Sequence, residues 1–465
     1  MRTATIISRL LAFIVAATLG STSCVWGQNL PGSKEEVARF VRLRAKTIVL
    51  QNVRVIDGTG ASPKENQTIV ITDGRISAIG DTNRVVAPAD ATRMNLEGRS
   101  VLPGLVMLHE HMMYFSGFRV WHSQAVSYPR LYLAAGVTTL RTAGTDVPYT
   151  DLNLKLGIDE GRIAGPKMFV TGPFFNGYDG HFLGDDIVRT EQDARRDVAY
   201  WASKGVTSFK VYADISREAL KGVVEEAHAH GLKVTGHLAS ISCREAAGLG
   251  IDNIEHSFGS CLGDLGMSLP QGETVSPPDN EKARLLIQHL VKAGVVLTST
   301  PFAPERPISK EELEMLHPTA RERYLTSMLS VSQSLAAIQK IQKHIRKLER
   351  DFVAAGGRLV IGADPQDNGK IAGYADHRAL ELLVEAGWKP LEVIHMATLG
   401  GAQFLGVGND VGSVTEGKAA DLIVINGNPA SDIKDIEKVE LVLKDGVVYD
   451  PRLLRDSVKG LVGWH

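Results

Sequence analysis

The residues best suited to chemistry begin with His109 and His111 in "RSVLPGLVMLHEHMMYFSG", where two imidazoles end an apolar run. In an extended strand, residues two apart point to the same side, so this pair can reach one ion while Glu110 points away. The same spacing recurs in "AHAHG" as His228 and His230. There the surrounding "REALKGVVEEAHAHG" has helical periodicity, which turns residues two apart by about 200° from one another. That second pair reads as solvated or helix-capping, so the spacing carries weight only at a strand end.

Other apolar runs end in the same kind of residue. Lys210 sits within "VTSFKVYAD", His237 and His256 end "LKVTGH" and "DNIEH", and Asp364 follows "LVIGAD". Imidazole and carboxylate are ligands suited to zinc and similar divalent ions. Lys210 is the misfit, because a buried ammonium among cations is repelled unless a carboxylate pairs with it. A neutral lysine amine that adds carbon dioxide becomes a carbamate, an anion with two oxygens able to bridge two metals.

The elements that must position these residues follow a βα rhythm from about residue 101 to 405. Short runs such as "GVTTLRT", "KMFVTG" and "VVLTST" alternate with amphipathic helical stretches. Their number predicts an α/β fold, a (β/α)8 TIM barrel in which strand ends converge on one face. The competing fold is a doubly wound open sheet, but no glycine-rich phosphate loop follows any of these strands. Residues 302–350 interrupt the rhythm and read as an elaborated helical connection between the last two strands, or as a plain surface helix pair. Flanking the barrel, residues 46–100 and 406–455 alternate apolar and polar residues around Asp57-Gly58 and Asp73-Gly74 turns. Each end has too few strands to bury a face, so together they predict one composite β-sandwich.

This set resembles the amidohydrolase superfamily, over nearly the whole chain after residue 27. "LPGLVMLHEH", "GIDNIEH" and the tail from "HRALELLVEAG" to "DLIVINGNP" are similar to its imidazolonepropionase-like and Xaa-Pro dipeptidase-like branch. The resemblance implies one metal on His109, His111 and Asp364, a second on His237 and His256, and carboxylated Lys210 with a hydroxide between them. Two divalent ions, zinc by default, and carbon dioxide bound as the carbamate are the implied cofactors. Asp364 would move the proton from the attacking water to the leaving amine. His181, in "NGYDGHFLGDD", and Tyr212, two residues after Lys210, are further candidates for contact with substrate; a loop histidine and a barrel-filling phenol are the plainer readings. Tyr114 has the same standing as Tyr212, and His377 reads as structural. "GHLASISC" departs from dipeptidase relatives, which often carry another histidine or a tyrosine nearby. Cys243 and Cys261 follow His237 and His256 on adjacent connections, either as a disulfide or as two buried thiols.

The expected reaction is hydrolysis of an amide C–N bond in a small molecule such as a dipeptide or N-acyl amino acid. Cyclic amide or lactone hydrolysis and single-metal deamination are the alternatives within enzymes, and an inactive periplasmic binding protein is the alternative outside them. A formal charge of −2 over 465 residues offers no field for nucleic acid or an anionic membrane, and a homo-oligomer is left open. The start, "MRTATIISRLLAFIVAATLGSTSCVWGQ", joins Arg2 and Arg9 to an apolar run too short to span a bilayer. It predicts an exported protein, periplasmic or secreted, cleaved after Gly27. Lipid attachment at Cys24 is the alternative, with Ser21 where a large aliphatic residue is usual.

Overall fold

The computed structural model describes residues 32–463 except 118–119, 178–183, 268–274, 303–306, 331–334 and 368. The expected signal segment, Cys24 and His181 lie outside the described residues. Among the described residues, no helix is long and apolar enough to cross a membrane.

The chemistry-bearing part is TIM-barrel-like, with parallel strands alternating with helices. In chain order the first strand is Leu105–Glu110, the second Val137–Thr142, and the third Lys167–Phe169 continued past Val170 as Thr171–Asn176. The fourth to eighth are Ser208–Val211, Lys233–Gly236, Asn253–Ile254, Val296–Ser299 and Arg358–Ile361. Their side chains are buried nearly throughout, as parallel strands covered on both faces must be. Helices between them open on side-chain caps that satisfy free backbone N–H groups. Ser216 accepts from Ala219 N, Ser242 from Glu245 N, and Asp279 from Glu281 N and Lys282 N.

Hydrogen bonding divides the strands into two sheets that meet at the break in the third strand. The first three strands pair through Lys167–Phe169, and Thr171–Asn176 begins the second sheet, which runs to the eighth strand. At the opposite edges, Asp364 N donates to His109 O at 2.9 Å, so the end of the eighth strand lies against the first. The sheets therefore do not form one continuous closed ladder.

The interior between the strands carries a polar layer. Asn253 Oδ1 accepts from Arg141, Thr235 and Thr298, and its Nδ2 donates to Val296 O. Helices Lys310–Met315, Pro318–Ser330 and Leu335–Ala354 join the seventh strand to the eighth, which accounts for the interruption in the βα rhythm.

Strands from both ends of the chain combine, as their separate insufficiency required. Leu422–Ile425 lies between Ser100–Pro103 and Val439–Lys444, antiparallel to both. Where a composite sandwich was expected, hydrogen bonds join these strands in a single nine-stranded sheet. Its buried residues, among them Leu50, Ile69, Val101, Val424 and Leu443, form a core of their own.

Candidate metal centre

His109 lies in the first strand and His111 just past its end, and both are buried. Asp364 stands three residues beyond the eighth strand with a φ of 51°, a left-handed conformation of order 1 kcal/mol above the usual regions. Its backbone bond to His109 holds it there. Asp364 Oδ1 lies 3.2 Å from His111 Nε2 and 3.6 Å from His109 Nε2. One ligand atom from each of the three residues falls within 4.8 Å of the others.

The ring nitrogens facing away are engaged. His109 Nδ1 meets Glu255 Oε2 at 2.7 Å, and His111 Nδ1 meets Gly144 O at 3.2 Å. Both Nε2 atoms are thereby directed towards Asp364, whose Oδ1 is buried without a hydrogen-bond partner. An orphaned carboxylate oxygen facing two imidazole nitrogens is the arrangement a divalent cation completes.

The remaining expected ligands lie beside this group. The His256 ring is 4.7 Å from that of His109 and 4.5 Å from that of His237, centroid to centroid. His256 Nδ1 is bonded to Thr300 Oγ1 at 2.8 Å, and the residue has a φ of 58°. Lys210 is buried in the fourth strand, its Nζ 6.0 Å from the ring centroids of both Phe174 and Tyr212.

Electrostatics favour the forms that bind metal. Burial lowers His111 to about 4 and His237 to about 3, and pushes His256 well below the usual histidine range, so these rings stay neutral near pH 7. Burial alone would raise Asp364, but Lys370, His109 and His111 hold it well below the usual carboxylate range. Burial brings Lys210 down to about 8, against the opposing charges of Glu255 and Asp364.

Several sequence expectations stand beside this geometry. Tyr212 faces the group, its ring 4.8 Å from that of His237. Tyr114 OH accepts from Gly369 N at 3.4 Å, in the hairpin of Met113–Gly117 and Val120–Ser123 that follows His111. His228 is helical and exposed, bonded to Asp252, and His230 ends the same helix. His377 Nε2 bonds to Ala135 O in the helix layer, a structural role. Cys243 and Cys261 form a disulfide, which decides between the two alternatives.

Three charged residues at the site were not singled out from sequence. Glu255 is fully buried between His109 and Arg141, and Arg141 also donates to Leu108 O. Burial opposes its ionisation, yet Arg141, His109 and Lys210 hold the Glu255 carboxyl well below the usual range. Lys370 Nζ stands 3.2 Å from Asp364 Oδ2. A signal existed for the first two: an arginine inside the strand "VTTLRT" and a glutamate beside a strand-end histidine are charges where burial is expected. Lys370 lies in a connection and gives no such signal.

The amidohydrolase family pattern matches residues 100–449. An enamidase from Eubacterium barkeri is 23% identical over 430 residues, covering 86% of this chain and 95% of the enamidase. An imidazolonepropionase from Streptomyces avermitilis is 34% identical over 117 residues, 24% of this chain and only 28% of that enzyme's length. Among solved structures, a Xaa-Pro dipeptidase with bound methionine superposes with a TM-score of 0.66 at 21% identity, covering 87% of this chain and 100% of the other. A bottromycin amidohydrolase gives 0.69 at 22% identity, covering 92% and 94%. With strand ends that gather His109, His111 and Asp364 inside the matched residues, the chain belongs to the amidohydrolase family.

Proposed function

We propose that this protein is a metal-dependent hydrolase that cleaves an amide C–N bond in a small substrate such as a dipeptide or N-acyl amino acid. The observation that carries the reading is the orphaned Asp364 Oδ1 facing His109 Nε2 and His111 Nε2 in a buried setting. His109, His111 and Asp364 would hold one divalent ion, and His237 and His256 a second, with zinc the default for both. Lys210 would bridge them as a carbamate, and its amine, brought to about 8, is partly neutral near pH 7 and able to add carbon dioxide.

When bound, such ions acidify water and polarise the scissile carbonyl. Asp364 accepts the proton of the attacking water and returns it to the leaving nitrogen. Tyr212, its ring 4.8 Å from that of His237, would donate its phenolic hydrogen to the substrate carbonyl oxygen. Glu255 keeps His109 in the tautomer whose Nε2 is free to bind metal. The chemistry belongs to the unit of residues 101–405, with residues 46–100 and 406–455 forming a supporting unit. Export fits the Cys243–Cys261 disulfide, which persists in an oxidising compartment.

The test is metal analysis of the purified protein together with a hydrolysis screen of dipeptides and N-acyl amino acids. Stoichiometric divalent metal is expected, and Asp364→Asn should lower kcat by about 10²–10⁴-fold on any substrate found. Absence of metal, or a Lys210→Ala variant with full metal content and full activity, would overturn the reading. A single-metal deaminase or cyclic-amide hydrolase has one observation in its favour: among the described residues, His109, His111 and Asp364 form the tight ligand group. Carbon-13 spectra after exchange with labelled bicarbonate separate the two readings, since a single-metal site leaves Lys210 unmodified.

A further inference from the structure

We infer that Lys370 is a specificity residue that binds a carboxylate on the leaving side of the substrate, so that the favoured substrates are amides whose nitrogen belongs to an amino acid. The inference rests on the amide-hydrolase reading above and narrows it. Asp364 has two oxygens with different duties: Oδ1 faces His109 and His111, while Oδ2 lies 3.2 Å from Lys370 Nζ. One carboxylate thus joins the expected metal ligands to an ammonium group.

Covalent geometry then fixes what that ammonium can reach. A leaving nitrogen protonated by Asp364 must come within hydrogen-bond distance of its carboxylate. In an amino-acid leaving group the carboxylate carbon is two bonds further on, about 2.5 Å from that nitrogen by standard bond lengths. A carboxylate so placed meets a cation that already touches Asp364. Charge-assisted pairing of this kind is stronger than a neutral hydrogen bond and discriminates against an uncharged analogue.

Lys370 lines a cavity of about 540 Å³ with Phe302, Ile308, Tyr324 and Tyr374, whose wall includes Ala363 beside Asp364 but none of the expected metal ligands themselves. Its side chain keeps 17% exposure, and its Nζ lies 5.2 Å from the centroid of the Phe302 ring. Arg378 and Arg455, elsewhere on the cavity wall, are already paired, with Glu381 and Glu385 and with Glu311. The second carboxylate partner of Lys370, Asp367, stands 3.8 Å away, beyond hydrogen-bond distance.

The backbone around Lys370 is held before any ligand arrives. Phe115 N donates to Gln366 O at 2.7 Å, and Gly369 N donates to Tyr114 OH. Gly369 has a φ of 79°, and a Cβ there would stand 2.6 Å from the Tyr324 ring. A cation held in place loses little entropy on binding.

The test compares wild type, Lys370→Met and Lys370→Arg on N-acetyl-L-leucine and on N-acetyl-L-leucinamide, its uncharged analogue. Wild type should prefer the acid. Lys370→Met should raise KM for the acid by about 10–100-fold, the range of a lost charged hydrogen bond. Its loss on the leucinamide should be at least tenfold smaller, and Lys370→Arg should restore part of the preference. Equal losses on both compounds, or no wild-type preference, would overturn the inference and leave Lys370 as a support for Asp364.

If wild type cleaves neither compound, the hydrolase reading fails on these amides and binding decides the role of Lys370. Calorimetry on the metal-loaded protein with L-leucine and L-leucinol then gives the answer. Tighter leucine binding that disappears in Lys370→Met supports the subsite, and equal binding of the two overturns it.

Discussion

Glu255 shows how one buried charge can serve several partners. It accepts from Arg141, orients His109, and is reached by the Thr235 hydroxyl, all without solvent. Glu255→Gln keeps the shape but removes the anion, so metal affinity should fall by about 10–100-fold in a chelator competition. Arg141 would then be a buried cation without its carboxylate, and unfolding in urea should show a loss of about 3–5 kcal/mol. Away from the site, Asp151 is buried in the first turn of helix Pro148–Asp159, with one oxygen unpartnered. Burial first, and then the charge of Asp146, raise it to about 8, while Thr145 opposes the shift. Between about pH 4 and pH 8 the unfolded chain has lost this proton and the folded chain keeps it, so stability falls as pH rises, by up to roughly 1.4 kcal/mol per pH unit. Asp151→Asn should flatten that part of the stability profile, measured by urea titration at pH 5, 7 and 9. An unchanged slope would mean that Asp151 ionises in the folded protein as it does in the unfolded one.

At the scale of elements, the site depends on how closely the eighth strand approaches the first. Gly362 follows the eighth strand, and a Cβ on it would stand 2.2 Å from the Cβ of His109 and 2.5 Å from its N. Backbone cannot yield as a flexible side chain can, so Gly362→Ala should push Asp364 away from His109 and His111. The expected outcome is a folded protein with metal content well below that of wild type, or an insoluble one; full metal occupancy would contradict the close approach. The disulfide acts on neighbouring connections, joining the start of helix Cys243–Gly248 to the turn after His256. Replacing both cysteines by serine opens a link across 18 residues and should lower stability by about 3 kcal/mol. Metal content should survive, because His237 and His256 are also held by strand pairing and by Thr300.

Over the whole molecule, the small sheet braces the base of the barrel as well as closing its own core. Gly104 N, just before the first strand, donates to Asp421 O at 2.8 Å. Gly136, just before the second strand, packs so closely on Ile423 that a Cβ would meet its side chain at 2.7 Å. Deleting residues 406–465 removes both Leu422–Ile425 and Val439–Lys444, uncovers Val101 and Leu50, and releases these two supports. The truncated chain should be recovered mainly in the insoluble fraction, without stoichiometric metal. A soluble, metal-bearing product would show that the barrel unit stands alone.

Much of the site was legible in the sequence, because strand residues alternate sides and strand ends of a parallel barrel share one face. Those two local rules were enough to nominate His109, His111 and Asp364, which the fold gathers, and Lys210, His237 and His256, which lie beside them. The resemblance to a known family then supplied their roles. The helical setting of His228 and His230 was legible for the same reason. Three relationships were not: the Glu255–Arg141 support under His109, the contact of Lys370 with Asp364, and the continuity of the nine-stranded sheet. The first and third join residues far apart in the chain, and the second depends on the path of a connection without periodicity. Alternation says which way a side chain points and leaves open what it meets. That was decided by packing between strands, where a buried charge must find its counterpart and a bare strand edge must find its neighbour.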